Sequence, residues 1–319
     1  MPSFDPLSQL LLQLVTILVA ARIMGGLSVR AGQPAVIGEM AAGILIGPSL
    51  LGWVAPSIFA GLFPSTSLGA LQMLSQIGVC LFLFVVGMGV DATHVRHKAS
   101  SAVIISQSSI IVPAILGMLV AMLLFPWYAG QSATPLSFAL FMAISMSITA
   151  FPVLARILDE RRLSSTPLGA MALTCAAVND VTAWSLLAGI VAITQADGLM
   201  GPLGTALLVV VFVLVMLFVV RPLLPRLIGH DVTALPTARP GVMVWALVLM
   251  LVSALMTELI GIHALFGAFL AGTVMPQTGD IRQHLRVRIE DFSTLFLLPL
   301  FFVFTGLRTS LTLLNDARG

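Results

Sequence analysis

Asp180 stands by itself in the run Ala176-Ala177-Val178-Asn179-Asp180-Val181-Thr182-Ala183-Trp184, where every neighbour is apolar or uncharged. A carboxylate is costly in hydrocarbon, and an acid kept at such a depth marks an ion or proton site. Burial penalises the charged form, so the acid is either protonated or holding a cation, and rarely bare. Competition between the two for one carboxylate is cation:proton exchange. Asn179 beside it is uncharged and can coordinate or orient. A second constellation precedes it in Ser145-Met146-Ser147-Ile148-Thr149-Ala150-Phe151-Pro152. Pro152 has no N–H and clashes with the carbonyl of Ile148, which predicts a helix broken from Thr149 through Ala150 to Pro152. Backbone freed in a bilayer must face protein or a wet cavity. The hydroxyls of Ser147 and Thr149 would add oxygen ligands of the kind hard cations prefer.

These residues need elements to carry them. Hydrophobic residues make up 59% of the chain and charged ones 9%, which describes an all-α, multi-pass membrane protein. The apolar runs are too long for the alternating strands of an outer-membrane barrel. Gly, Pro and charge clusters predict about ten spans, near residues 7–25, 34–51, 68–90, 100–126, 135–158, 167–194, 203–222, 241–258, 260–276 and 293–313. Basic residues fall in alternate loops: Arg22 and Arg30; Arg96 and Lys98; Arg156, Arg161 and Arg162; Arg221, Arg226 and Arg239; Arg282, Arg286 and Arg288. The other loops are nearly free of charge. The asymmetry predicts those five loops in the cytoplasm and the N-terminus outside. Met1 to Gln9 has no basic segment of the kind that opens a cleavable signal peptide.

Thr149 is then about nine residues from one end of its span and Asp180 about twelve residues into the next, roughly 14 and 18 Å deep. Acid, amide, hydroxyls and broken helix share one level near the midplane. Cys80 and Cys175 lie in apolar runs and read as small core residues. No nucleophile–base pair, metal cluster or phosphate loop shares a depth, so no enzyme, cofactor or resident metal is expected; the only ions called for are H+ and K+ or Na+. Nothing in the sequence calls for nucleic acid.

Two segment pairs resemble each other in the same order. Ala42-Gly43-Ile44-Leu45-Ile46-Gly47-Pro48 matches Ala271-Gly272-Thr273-Val274-Met275-Pro276, and Leu81-Phe82-Leu83-Phe84-Val85-Val86-Gly87-Met88 matches Leu300-Phe301-Phe302-Val303-Phe304-Thr305-Gly306-Leu307. Both pairs are seven spans apart, and an odd offset reverses orientation, which predicts an inverted-topology repeat within one domain over 1–319. The first repeat covers about 34–194 and a partial second about 260–313, so the expected fold is incomplete by three helices at its C-terminal end.

Glu39, near the inner end of span two, and Glu258, at the turn with His263, are accessory candidates, the first for pairing with a cation, the second for gating or pH sensing.

The blocks Ile37 to Pro48, Ser147 to Arg156, Asn179-Asp180 and His263 to Gly272 resemble the monovalent cation:proton antiporters of family 2, within the sodium/proton exchanger superfamily. The resemblance covers most of the chain. It implies that Asp180 binds cation and proton in turn, that Thr149 lies at the crossover of the broken helix, and that the protein is a homodimer; with one acid at the site each half-cycle carries one positive charge, so electroneutral one-for-one exchange is expected, in a bacterial plasma membrane. A channel-like potassium efflux protein and a non-transporting truncated or regulatory subunit are the rival readings.

Overall fold

The computed structural model describes residues 5–89, 99–130, 133–195, 200–228, 240–276 and 280–309. All elements among them are helical. In chain order they are α1 (Pro6–Arg30), α2 (Ala35–Ile46), α3 (Leu51–Val54), α4 (Pro56–Leu62), α5 (Leu68–Gly89), α6 (Ala99–Tyr128), α7 (Pro135–Ser147), α8 (Phe151–Glu160), α9 (Pro167–Gln195), α10 (Met200–Val215), α11 (Arg221–Ile228), α12 (Pro240–Ile260), α13 (Ala264–Val274), α14 (Asp280–Phe292) and α15 (Leu298–Leu307). Single π turns at Met216–Val220 and Ser293–Leu297 join α10 to α11 and α14 to α15. Arg96, Lys98, Asp197, Arg239 and the end of the tenth expected span lie outside the described residues.

Seven stretches among the described residues are long and apolar enough to cross a membrane: Pro6–Arg30, Ala35–Val54, Leu68–Gly89, Ile104–Tyr128, Pro135–Glu160, Leu207–Pro225 and Gly241–Ile260. Each coincides with an expected span. The expected span at 260–276 holds only the 11-residue α13, about 17 Å of helix against a ~30 Å hydrocarbon core. Large apolar side chains such as Leu119, Leu123, Trp127 and Phe218 are exposed. Such exposed apolar side chains suit lipid, where helices satisfy their own backbone groups.

The chain divides into two compact units, Met1–Phe82 with Val287–Gly319, and Leu83–Arg286. In the first, Ile17, Ala21, Ala42, Phe63, Leu71, Leu300, Val303, Phe304 and Leu307 form a core between α1, α2, α5 and α15. Gln9 and Gln13 project into it from α1. The Gln9 amide donates to the Gly61 and Leu62 carbonyls at 2.9 and 2.7 Å, and the Gln13 amide to Leu62 O and Ser67 Oγ at 2.8 and 2.6 Å. These two amides close the last turn of α4, whose carbonyls have no helical donor.

Helices meet closely where glycine removes the side chain. A Cβ on Gly43 would strike the Val303 carbonyl and lie 2.9 Å from Gly306 Cα; one on Gly306 would strike the Met40 carbonyl. The second unit has its own crossing of this kind. A Cβ on Gly87 of α5 would strike the Phe269 carbonyl of α13, and one on Gly272 the Phe84 carbonyl, with Gly87 Cα 3.0 Å away. The contacts correspond position by position: Gly43 with Gly272, Met40 with Phe269, Gly306 with Gly87, Val303 with Phe84.

Gly43→Ala and Gly272→Ala are each expected to destabilise the protein by about 1–3 kcal/mol through overpacking. Gly26→Ala in α1, where a Cβ meets nothing within 4 Å, is expected to be neutral or stabilising by up to ~1 kcal/mol. Thermal unfolding of the three variants in detergent checks both directions.

Candidate functional site

The helix carrying Thr149 breaks where proline allows it. α7 ends at Ser147, its last turn closed by Ile148 N–H on Ile144 O at 3.1 Å. Ile148 is extended (φ −77°, ψ 122°), Ala150 caps α8 with φ −73° and ψ 86°, and α8 begins at Phe151. Pro152 stands in the first turn of α8, where its missing N–H costs nothing. The carbonyl it would have struck, that of Ile148, has left the helix. The break thus sets the carbonyl end of α7 against the N–H end of α8, with opposite partial charges. Phe151 anchors the new helix edge-on against Phe269, ring centroids 4.9 Å apart.

Asn179 reaches this break from α9. Its Nδ2 donates to Thr149 Oγ1 and to Ser109 Oγ of α6, both at 3.3 Å. Ser109 in turn donates to the Ser106 carbonyl at 2.7 Å, and Ser106 Oγ donates to the Cys175 carbonyl at 3.2 Å, returning to α9 one turn before Asn179. Asn179 is 2% exposed. Its Oδ1 is buried and has no hydrogen-bond partner among the described residues. An unsatisfied buried acceptor costs about 1–3 kcal/mol, and native structures keep few of them without a reason.

Asp180 follows on the same helix and is partly buried. Among the described residues no cation pairs with its carboxylate. The described residues also contain no cluster of three or more His, Cys, Asp or Glu able to hold a resident metal. The arrangement offers one open amide oxygen and one threonine hydroxyl oxygen beside a helix break, with a partly buried carboxylate next in sequence on α9: oxygen types that suit a hard monovalent cation, and one acid able to take a proton instead.

The remaining expected residues fall elsewhere. Ser147, 5% exposed, donates to the Ile110 and Ala143 carbonyls at 2.9 and 2.7 Å. It stitches α7 to α6 at the last residue before the break, and its bonds do not join those of Asn179. Glu39 is buried in the other unit, against Gly25 of α1. Glu258 accepts from the Ala264 N–H at 2.9 Å and so caps α13, with His263 Nδ1 accepting from Leu265 N–H. Burial pulls the His263 imidazole below its ordinary range, against the opposing charge of Glu258. At the far end of α8, Arg156 pairs with Glu160 at 3.0 Å and Asp159 with Arg286 at 3.7 Å.

Sequence reasoning passed over Ser106 and Ser109. The available signal was the polar run Ser106-Gln107-Ser108-Ser109 inside an apolar span, with Pro113 four residues beyond.

Residues 14–318 match the transmembrane family of sodium/hydrogen exchangers. The chain is 38% identical over 307 residues to the Na(+)/H(+) antiporter NhaS4 of Synechocystis, covering 96% of this chain and 75% of that protein. It is 38% identical over 322 residues to cation/H(+) antiporter 17 of Arabidopsis thaliana, covering 99% of this chain and 38% of the plant protein. With K(+)/H(+) antiporter 1 of Saccharomyces cerevisiae it shares 33% identity over 326 residues, 99% of this chain and 37% of the yeast protein. The chain thus spans three quarters of the cyanobacterial relative and under two fifths of the plant and yeast ones. The match runs along nearly the whole of an all-helical, apolar chain: the chain is a multi-pass membrane protein of the sodium/hydrogen exchanger family, a family of transporters and not of enzymes.

Proposed function

We propose that this chain exchanges K+ or Na+ for H+ across a bacterial plasma membrane, with Asp180 binding each in turn. The observation that carries the reading is the buried, unpartnered Oδ1 of Asn179 beside an acid that no described cation neutralises. A dehydrated cation supplies what both atoms lack: a positive charge for Asp180 and an electrophilic partner for Asn179 Oδ1. Thr149 adds a third oxygen from the break. Protonation of Asp180 removes the charge that retains the cation and releases it.

The sign of each half-cycle follows from counting. Asp180 with a cation and Asp180 with a proton are both neutral, and Asn179 contributes no charge. One cation therefore crosses for one proton, and the exchange is electroneutral. The matched glycine crossings, Gly43 with Gly306 and Gly272 with Gly87, support an inverted repeat of about 34–194 and 260–313, since the same backbone contacts recur between reversed segments. The alternation of basic loops supports an outside N-terminus. A homodimer is the assembly the proposal assumes.

In proteoliposomes containing the 319-residue chain, an imposed K+ or Na+ gradient is expected to drive opposite proton movement. Asp180→Asn is expected to abolish it while the protein still folds. Cation flux with no proton movement would mark a channel, and a folded wild-type chain without flux would mark a non-transporting subunit.

Turnover in the same vesicles is expected to be unchanged when a membrane potential is imposed with an ionophore. A potential-dependent rate would overturn one-for-one stoichiometry. The apparent KM for the cation is expected to rise as pH falls, because protons compete for the same carboxylate, while the maximal rate at saturating cation changes less.

A further inference from the structure

The orientation of a buried amide decides whether it offers a cation oxygen or N–H groups, and the hydrogen bonds around Asn179 fix that choice. Ser109 has one hydroxyl proton. It is committed to the Ser106 carbonyl at 2.7 Å, an atom that can only accept. Towards Asn179, 3.3 Å away, Ser109 Oγ can therefore only accept, and the amide must turn its NH2 group to it. Thr149 Oγ1 takes the other amide proton at 3.3 Å. With both N–H groups engaged, Oδ1 is left facing away from them, buried and open. Were Ser109 replaced by a side chain without oxygen, one amide proton would lose its acceptor and the amide would be free to reverse.

Ser109 carries a second feature. Pro113, within α6, has no N–H for the carbonyl four residues back, which is that of Ser109. The residue that sets the amide thus also has a backbone oxygen without its helical donor. Asn179 is sealed in the interior, and Ser109 stands at the outer edge of the bonded cluster. Selectivity among monovalent ions depends on how many oxygens replace the hydration shell and how strongly their dipoles act.

We infer that Ser109, on the helix preceding the broken one, is a specificity-determining positioning residue: it locks the Asn179 amide with its oxygen toward the cation, and its Pro113-freed carbonyl adds to the field that distinguishes one monovalent cation from another. The inference rests on Asp180 and Asn179 forming the cation site.

The test measures proton-coupled uptake of K+, Na+ and Li+ by the full chain in proteoliposomes, with Ser109→Ala, Ser109→Thr, Pro113→Ala and Asp180→Asn. Loss of one oriented hydrogen bond corresponds to about fivefold in affinity. Ser109→Ala is expected to raise the apparent KM for the cations by about that factor, unequally among the three ions, with kcat within about twofold of wild type, the pattern of lost binding and not of lost folding. Ser109→Thr, which keeps the hydroxyl, is expected to restore both KM and the order of preference. Pro113→Ala returns an N–H to the Ser109 carbonyl and is expected to shift the ratio of the Na+ and K+ KM values. If Asp180→Asn is inactive and Ser109→Ala keeps wild-type KM for all three ions, the inference about Ser109 is overturned and the Asp180 reading stands. If Asp180→Asn still exchanges, the site reading itself fails. Should Ser109→Ala not fold, Pro113→Ala decides: a shifted ratio supports the inference and an unshifted one overturns it.

Discussion

A hydrocarbon solvent cannot hydrogen-bond a peptide group, and the arrangement around the site follows from that constraint. Every departure from helix inside the apolar region frees backbone groups that protein or a bound species must meet. Ile148–Ala150 is one such departure, and α6, α9 and α13 contact the helix ends around it. Ser147 ties the last turn of α7 to the Ile110 carbonyl, Phe151 seats α8 on Phe269, and Asn179 reaches Thr149 from the next helix. Thr149, Asn179, Ser109 and Ser106 are linked in series, since each donor in a low-dielectric region needs an acceptor at hand.

The same constraint accounts for an acid and an amide standing side by side at the candidate site. Two acids would bring like charges into one apolar place, and one of them would have to stay protonated. Replacing one with an amide keeps an oxygen donor and removes the repulsion, but it adds two N–H groups that must be satisfied. Ser109 and Thr149 absorb them. A third helix, α6, therefore belongs to the site even though it contributes no charge.

Asp180, Asn179 and Pro152 were legible in the sequence because each breaks a rule that hydrocarbon imposes: a charge, an amide and a missing N–H amid apolar neighbours. The glycine pairs were legible as repeated segments, and the structure adds that the repeated positions are the ones in contact. Ser109 was not legible as a partner of Asn179. Hydroxyl residues in apolar helices ordinarily bond their own preceding turn, as Thr16, Thr174, Thr182 and Thr305 do here with the carbonyls of Leu12, Ala170, Val178 and Phe301. Sequence alone cannot say which hydroxyl also faces a neighbouring helix, because that depends on crossing angle and register. Ser147, expected beside the break, donates its proton both to the Ile110 carbonyl of α6 and to the Ala143 carbonyl of its own helix.

The glycine crossing of α2 with α15 has a mechanical consequence. Backbone lies directly on backbone there, with no side chain between them to change rotamer. Such a joint has no soft degree of freedom and fixes the axial offset of its two helices like a dowel. A bilayer thicker or thinner than the protein prefers must be met by tilt or local distortion, and not by a rotamer change at this crossing. The crossing is thus a fixed depth mark, and a mismatch in lipid thickness must be taken up outside it.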